Sequence, residues 1–199
     1  MENLLEFFIE VDKLKRTYRF STRDKSVHDS VADHSWKLAL IVISVAEKLN
    51  LNVDILHSVK LALCHDIPEY ITGEIDSRLI HLGKFSKEEK LKLEKKASEE
   101  INKKFGIIGE QISDLWREYE GCKTREAKYV KALDKIEAIT HLLSLDKIEN
   151  DDFGYTATYA NESVKNFPEL KFMLKEIQNK LKIKYEKFGE KWKSDYEID

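Results

Sequence analysis

The chain has 199 residues, long enough for one well-buried core and short for two. Hydrophobic residues make up 42% and charged residues 36%, with only 7 Gly and 2 Pro, which excludes collagenous, low-complexity and turn-dense all-β sequences and leaves helices as the expectation. The 34 Lys+Arg against 37 Asp+Glu give a formal charge of -3, without the basic excess that draws a protein onto nucleic acid.

The amino terminus is acidic, and the apolar stretch behind it is interrupted by Glu6 and Glu10, so no secretory leader is expected. The longest apolar run, Leu38 to Ala46, falls far short of the roughly 20 residues that span a bilayer, so the expectation is a cytoplasmic protein without a membrane partner. Cys64 and Cys122 form no C-x-x-C pair and read as buried thiols.

Leu4, Phe7, Phe8, Val11 and Leu14 recur at three- and four-residue spacing and predict a first helix ending near Lys15. From Arg16 to Val31 charged and hydroxyl residues follow without period, as in a connection across a surface. Asp33 is the expected N-cap of a central helix, Trp36 to Leu49, apolar nearly all round and so buried on most sides. After a turn at Asn50 to Asn52, Asp54 caps a third helix carrying Ile55, Leu56, Val59 and Leu63, which ends on His65-Asp66 before Pro68 breaks it.

Glu69 to Gly83 reads as a loop hinged at Gly73. Ser86 and Glu89 form a capping box that opens a strongly charged helix running to Phe105, with a thin apolar stripe of Leu91, Ile101 and Phe105. Gly106 ends it. Ile108, Ile112, Leu115, Trp116 and Tyr119 outline a fifth helix, Thr124 to Leu145 a sixth, Pro168 to Tyr185 a seventh, and Phe188 to Tyr196 a short tail helix. No strand is predicted. The whole is an all-α bundle of about seven to eight helices, one domain over residues 1-199, with residues 146-199 completing it.

On the sixth helix Ala127, Val130, Asp134, Ala138 and His141 share a face, so a carboxylate interrupts a small apolar stripe. A buried carboxylate needs a partner, either a neighbouring lysine such as Lys131 or Lys135 or a metal ion. His65-Asp66 ends one apolar helix and His34 opens another. Each alone is more often a packing or capping residue. Together, two imidazoles and two carboxylates at the ends and inner faces of three helices that must pack on one another are what a metal site in a bundle requires. Nitrogen and oxygen ligands without thiolate suit one divalent ion among Mn, Co, Fe, Ni, Zn and Mg, and an open coordination position would make hydrolysis the reaction class.

The ordered set Ser30-Val31-Ala32-Asp33-His34-Ser35, His65-Asp66-Ile67-Pro68-Glu69, Ile71-Thr72-Gly73-Glu74-Ile75 and Lys131-Ala132-Leu133-Asp134-Lys135-Ile136-Glu137 resembles the HD-domain metal-dependent phosphohydrolases, specifically the YfbR-like 5'-deoxynucleotidase branch. The similarity spans roughly Leu4 to Leu145. It implies that His34, His65, Asp66 and Asp134 bind the cation, and that Glu69 is catalytic and steers or deprotonates a metal-bound water. Glu74 stands where the family usually has aspartate, with Asp76 as its competitor for that second acidic role. Arg16 matches the family's phosphate-orienting arginine, with Arg19, Arg23 and Lys25 as rivals. Thr17 and Tyr18 replace a tryptophan that packs on the sugar in the bacterial enzymes. The resemblance makes Tyr18, Glu74, Ile75, Asp76 and Ser77 substrate contacts and implies a homodimer. The substrate it implies is a nucleoside 5'-monophosphate, with the deoxy forms expected first. Other readings are an HD phosphohydrolase for a cyclic nucleotide, triphosphate or guanosine polyphosphate, or a regulatory module that binds without turnover.

Trp116, Tyr119 and Trp192 are read as packing residues, Lys84 to Lys104 as a solvated face, and His28 as an exposed loop residue. His141, two turns past Asp134, is either a partner of the metal ligands or a packing residue.

Overall fold

A computed structural model describes residues 2–23, 29–145 and 152–198. Lys25 and His28 lie outside the described residues. Among the described residues the elements are helical: α1 Glu2–Val11, α2 Val31–Lys48, α3 Ile55–Cys64, α4 Glu69–Thr72, α5 Ser77–His81, α6 Lys87–Phe105, α7 Ile107–Gly121, α8 Arg125–Ser144, α9 Phe153–Thr158, α10 Asn161–Lys165 and α11 Lys171–Lys187. Short 3-10 turns cover Asp12–Arg16, Pro168–Leu170 and Ser194–Tyr196.

Local chemistry explains most boundaries. The expected cap at Asp33 is corrected: α2 opens three residues earlier, because Ser30 accepts from the Asp33 amide at 3.1 Å and the Asp33 carboxylate reaches back to Ser30. Asp54 caps α3 through the His57 amide, and Ser86 with Glu89 caps α6, as the sequence predicts. The predicted loop from Glu69 to Gly83 instead contains α4 and α5, which are single turns too short to show a hydrophobic period. The predicted tail helix is reduced to the turn at Ser194–Tyr196.

The most enclosed helix is α8 and not α2. Trp36, Leu40 and Ile43 leave one side of α2 exposed, at 66%, 51% and 36%. In contrast, α8 packs against α2, α3, α7 and α11, and its small Ala127, Ala132 and Ala138 let those neighbours approach. Tyr129 on α8 donates to the Val42 carbonyl at 2.8 Å, satisfying a buried hydroxyl between α8 and α2. A second cluster holds Phe7, Leu14, Ile67, Tyr70, Ile101 and Phe105, joining α1, α4 and α6.

The α6–α7 pair meets most closely at Gly109, where an added Cβ would stand 2.3 Å from the Ile101 carbonyl oxygen. The segments after Leu145 join the main core through Ala157, Ala160, Val164, Leu174, Leu181 and Tyr185. Both cysteines are half-buried and free, and not fully buried as expected; burial pushes the Cys64 thiol up to about 11.

Candidate metal centre and active site

Three helices deliver the expected ligands to one point. His34 comes from the first turn of α2, His65 and Asp66 from the end of α3, and Asp134 from the middle of α8. His34 Nε2 lies 3.4 Å from His65 Nε2, 3.3 Å from Asp134 Oδ1 and 3.8 Å from Asp66 Oδ2. His65 Nε2 is 3.0 Å from Asp66 Oδ2. His34, His65 and Asp66 offer ligand atoms that all lie within 4.8 Å of one another, and Asp134 flanks them through His34.

The hydrogen bonds behind the imidazoles assign their protons. His65 Nδ1 faces the Ala62 carbonyl at 2.9 Å, an acceptor only, so Nδ1 carries the hydrogen and Nε2 presents a lone pair. His34 Nδ1 faces Glu137 Oε2 at 2.5 Å with the same consequence. With both rings neutral, two lone pairs would meet at 3.4 Å beside two carboxylates, and neither ring could donate to the other. Such a set holds together only around positive charge. A proton on His34 supplies one charge, and a divalent cation supplies two while engaging all four groups, so the donor set fits a metal.

Burial and the nearby Arg19 guanidinium work to lower the His34 pKa, but hydrogen bonds to Asp134 and Glu137 override them and raise it to about 9. Burial works to raise the carboxyls of Asp66 and Asp134. For Asp66 the charge and hydrogen bond of His65 prevail, and for Asp134 Lys135 and His34 prevail, so both are held well below the usual range. The lysine partner and the metal-site placement, two alternatives at the sequence level, coexist at Asp134. Its Oδ2 takes Lys135 Nζ at 2.9 Å and the Tyr119 hydroxyl at 2.6 Å, while Oδ1 faces His34.

Glu137 was legible only as a letter in the motif. Its side chain is fully buried, and it also receives Arg19 Nη1 at 3.1 Å on Oε2. Lys37 Nζ stands 2.9 Å from Oε1, within ion-pair range though off the hydrogen-bonding direction. The sequence hint was its position one turn after Asp134. Tyr119, read as a packing residue, packs and also orients: its ring lies 4.7 Å from that of His65.

The centre opens into a cavity of about 690 Å³, whose lining includes Arg19, Asp66, Glu69, Glu74, Ser77 and Lys90. That volume falls within the range of small-molecule sites. Glu69 is 1% exposed, with Oε1 3.2 Å from Lys90 Nζ and Oε2 buried without a hydrogen-bond partner among the described residues. Burial and the charges of Asp66 and Glu74 raise its pKa well above the usual carboxyl range.

The structure separates Glu74 from Asp76. Glu74 lines the cavity, whereas Asp76 Oδ2 accepts from the Thr22 amide and hydroxyl and Oδ1 caps α5 through the Arg78 amide. Ser77 reaches the cavity wall; Ile75 and Tyr18 are not among its lining residues, Ile75 being half-buried and Tyr18 52% exposed.

Arg16 is not brought to the cavity. It ends a 3-10 turn, its side chain is 74% exposed, and it pairs with Asp12 at 2.7 Å, the i,i+4 partner that the turn places beside it. Arg19, three residues on, is the arginine in the cavity wall, held by Asp29 at 2.7 Å and Glu137. His141 stacks on Phe20 with ring centroids 5.3 Å apart, and its Nε2 has no hydrogen-bond partner among the described residues. Part of the wall comes from residues beyond every motif, Tyr155, Thr158 and Tyr159 of α9 and the turn after it, with Tyr155 stacked on His81 at 4.2 Å.

Comparison with known proteins finds similarity along most of the chain. A family profile described as HD domain matches residues 11–175. The 5'-deoxynucleotidase HDDC2 of Dictyostelium discoideum is 37% identical over 155 residues, covering 74% of this chain and 80% of the relative. The protein of the same name from Homo sapiens is 31% identical over 180 residues, covering 88% and 85%. A conserved hypothetical protein of known structure from Pyrococcus furiosus matches with a TM-score of 0.69 at 26% identity, over 88% of this chain and 99% of that one. A predicted metal-dependent phosphohydrolase from Magnetospirillum magnetotacticum MS-1 matches with a TM-score of 0.66 at 24% identity over 100% and 95%, a likeness of fold alone.

Proposed function

The chain belongs to the HD-domain family, and from the way its centre is built we propose that it is a metal-dependent phosphohydrolase that removes the 5'-phosphate from nucleoside 5'-monophosphates, deoxy forms among them. The observation that carries this reading is the pair of imidazole Nε2 atoms and two carboxylates converging beside a buried glutamate oxygen that has no hydrogen-bond donor among the described residues.

A divalent cation held by His34, His65, Asp66 and Asp134 would lower the pKa of a coordinated water and offset phosphoryl charge. Glu69 takes the proton of the attacking water on Oε2, the oxygen that Lys90 leaves free. The water oxygen bonds to phosphorus as the bond to the 5'-oxygen breaks, and the departing oxygen takes up a proton, giving nucleoside and inorganic phosphate. Arg19 is a fixed cation for the phosphoryl oxygens, immobilised by Asp29 and Glu137 before substrate arrives, so little reorganisation is required. Glu137 holds the His34 ring and Tyr119 holds Asp134.

Thr17 and Tyr18, which follow Arg16, are not among the cavity-lining residues, so ribonucleotides are expected to be turned over as well. The resemblance implies a homodimer, and the stripe Trp36, Leu40 and Ile43, exposed at helical spacing on α2, supports a second copy as the cover of that face. Mass measurement in solution tests it. Among the described residues no helix is long and apolar enough to cross a membrane.

The deciding assay is phosphate release by protein stripped of metal and resupplied with Mn²⁺, Co²⁺, Mg²⁺ or Zn²⁺, across deoxy- and ribonucleoside 5'-monophosphates. Metal-dependent release is expected. A chain that binds the cation and releases no phosphate with any metal would overturn the proposal.

A further inference from the structure

Lys90 belongs to a run of alternating lysine and glutamate that the sequence marks as a solvated helix face, yet the fold turns this one lysine inward. Its Nζ lies 3.2 Å from Glu69 Oε1, 3.4 Å from Glu94 Oε1 and 4.0 Å from Glu74 Oε2. The pair with Glu94 is a local i,i+4 contact on α6. The other two carboxylates come from α4 and the link that follows it, 21 and 16 positions away in sequence. Glu69 and Glu94 are 1% and 7% exposed, so one ammonium serves three carboxylates, two of them out of water.

We infer that Lys90 is a positioning residue for Glu69, fixing the carboxylate by its Oε1 so that Oε2 alone is left to accept from the reacting water. The inference rests on the hydrolase reading above. Two features of the fold make such a clamp necessary. Helix α4 is a single turn of four residues, so its own hydrogen bonds do little to fix the direction of a side chain at its first position. Glu69 also has like charges nearby in Asp66 and Glu74, which would turn its carboxylate away from the centre unless a cation holds it.

Lys90 is itself well anchored. Its amide donates to the Ser86 carbonyl at 3.1 Å in the first turn of α6, a turn locked by the Ser86–Glu89 capping box. Gly73, at φ 72°, ends α4 and returns the chain so that Glu74 lies beside the same ammonium. A cationic side chain with several donors can serve more than one of these carboxylates at once.

The test is a double-mutant cycle on the full chain loaded with Mn²⁺, with kcat and KM measured on a deoxynucleoside 5'-monophosphate for Lys90→Met, Glu69→Gln and the double variant, and with Lys90→Arg as the conservative control. Lys90→Met is expected to lower kcat about 10- to 100-fold. KM and Mn²⁺ affinity, the latter read by calorimetry, should stay within about twofold. On the Glu69→Gln background the same change should cost nothing further, and Lys90→Arg should recover most of the lost kcat. Additive losses, or a loss confined to KM, would mean that Lys90 acts on substrate or on folding, and would overturn the inference. If Glu69→Gln is too slow to measure, equal losses in Lys90→Met and Lys90→Arg overturn it. A wild-type chain that binds Mn²⁺ and releases no phosphate fails at the level of the proposed function, an outcome distinct from an active chain with additive losses.

Discussion

Replacing Glu137 by glutamine tests whether the centre is organised from behind its ligands. The carboxylate is fully buried among His34, Arg19 and Lys37. Burial works to raise its pKa, but the His34 hydrogen bond and the charges of His34 and Arg19 override that and hold it at about 2 in place of 4.5. At 1.36 kcal/mol per pH unit this corresponds to about 3 kcal/mol of interaction with its surroundings in the metal-stripped protein, an upper bound because glutamine keeps one acceptor oxygen. A carboxylate depressed in this way contributes stability in full above the unfolded value of 4.5, and that contribution is lost as pH falls toward 2.

Stripped Glu137→Gln should therefore melt below wild type at pH 7, by up to about 6 to 12 °C for a chain of this length. The gap should narrow as pH falls from 5 to 3. In parallel, calorimetric Mn²⁺ titration at pH 7 should show affinity reduced about 10- to 100-fold, because the His34 ring has lost its anionic support. Circular dichroism melts across pH and the Mn²⁺ titration are the two assays. An unchanged Mn²⁺ affinity, or a melting gap that stays constant through acid, would refute the reasoning.

Asp66→Ala should remove both bound metal and turnover, whereas Glu69→Ala should abolish turnover with metal retained, as read by metal analysis beside phosphate release; a Glu69→Ala protein with wild-type rates would eliminate the mechanism. Arg19→Lys should lower kcat/KM more than Arg16→Ala, since the first loses the planar guanidinium in the cavity wall and the second loses only an exposed pair with Asp12. The reverse order in steady-state kinetics would restore Arg16 as the phosphate cation. Gly109→Ala should cost about 1 to 3 kcal/mol in urea unfolding, because its Cβ would press on the Ile101 carbonyl and α6 and α7 must part; equal midpoints would contradict the close approach. Cys64, raised to about 11, should alkylate slowly in the native chain at pH 7.5 and quickly once unfolded, with mass spectrometry as the measure.

The sequence by itself determined the helical class, most helix starts and which four side chains, His34, His65, Asp66 and Asp134, come together. Those signals are local: Ser86 and Glu89 cap from within one turn, Asp54 reaches an amide three residues on, and the motif strings around His34, His65-Asp66 and Asp134 carry the same chemistry wherever they occur. Local reading lost ground where single turns are too short to show a period, as at α4 and α5, and where exposure depends on neighbours, as for Trp36. Only the tertiary structure decided the rest. It chose Arg19 over Arg16 for the cavity, assigned Asp76 to the Thr22 backbone and Glu74 to the wall, turned Lys90 out of a charged run toward Glu69, and placed Tyr155 and Tyr159 in the wall of the cavity that His65, Asp66 and Asp134 also line. Each choice pairs groups far apart in the chain, and the partner that satisfies a buried charge is fixed by which helices pack together, a property that no window of sequence contains.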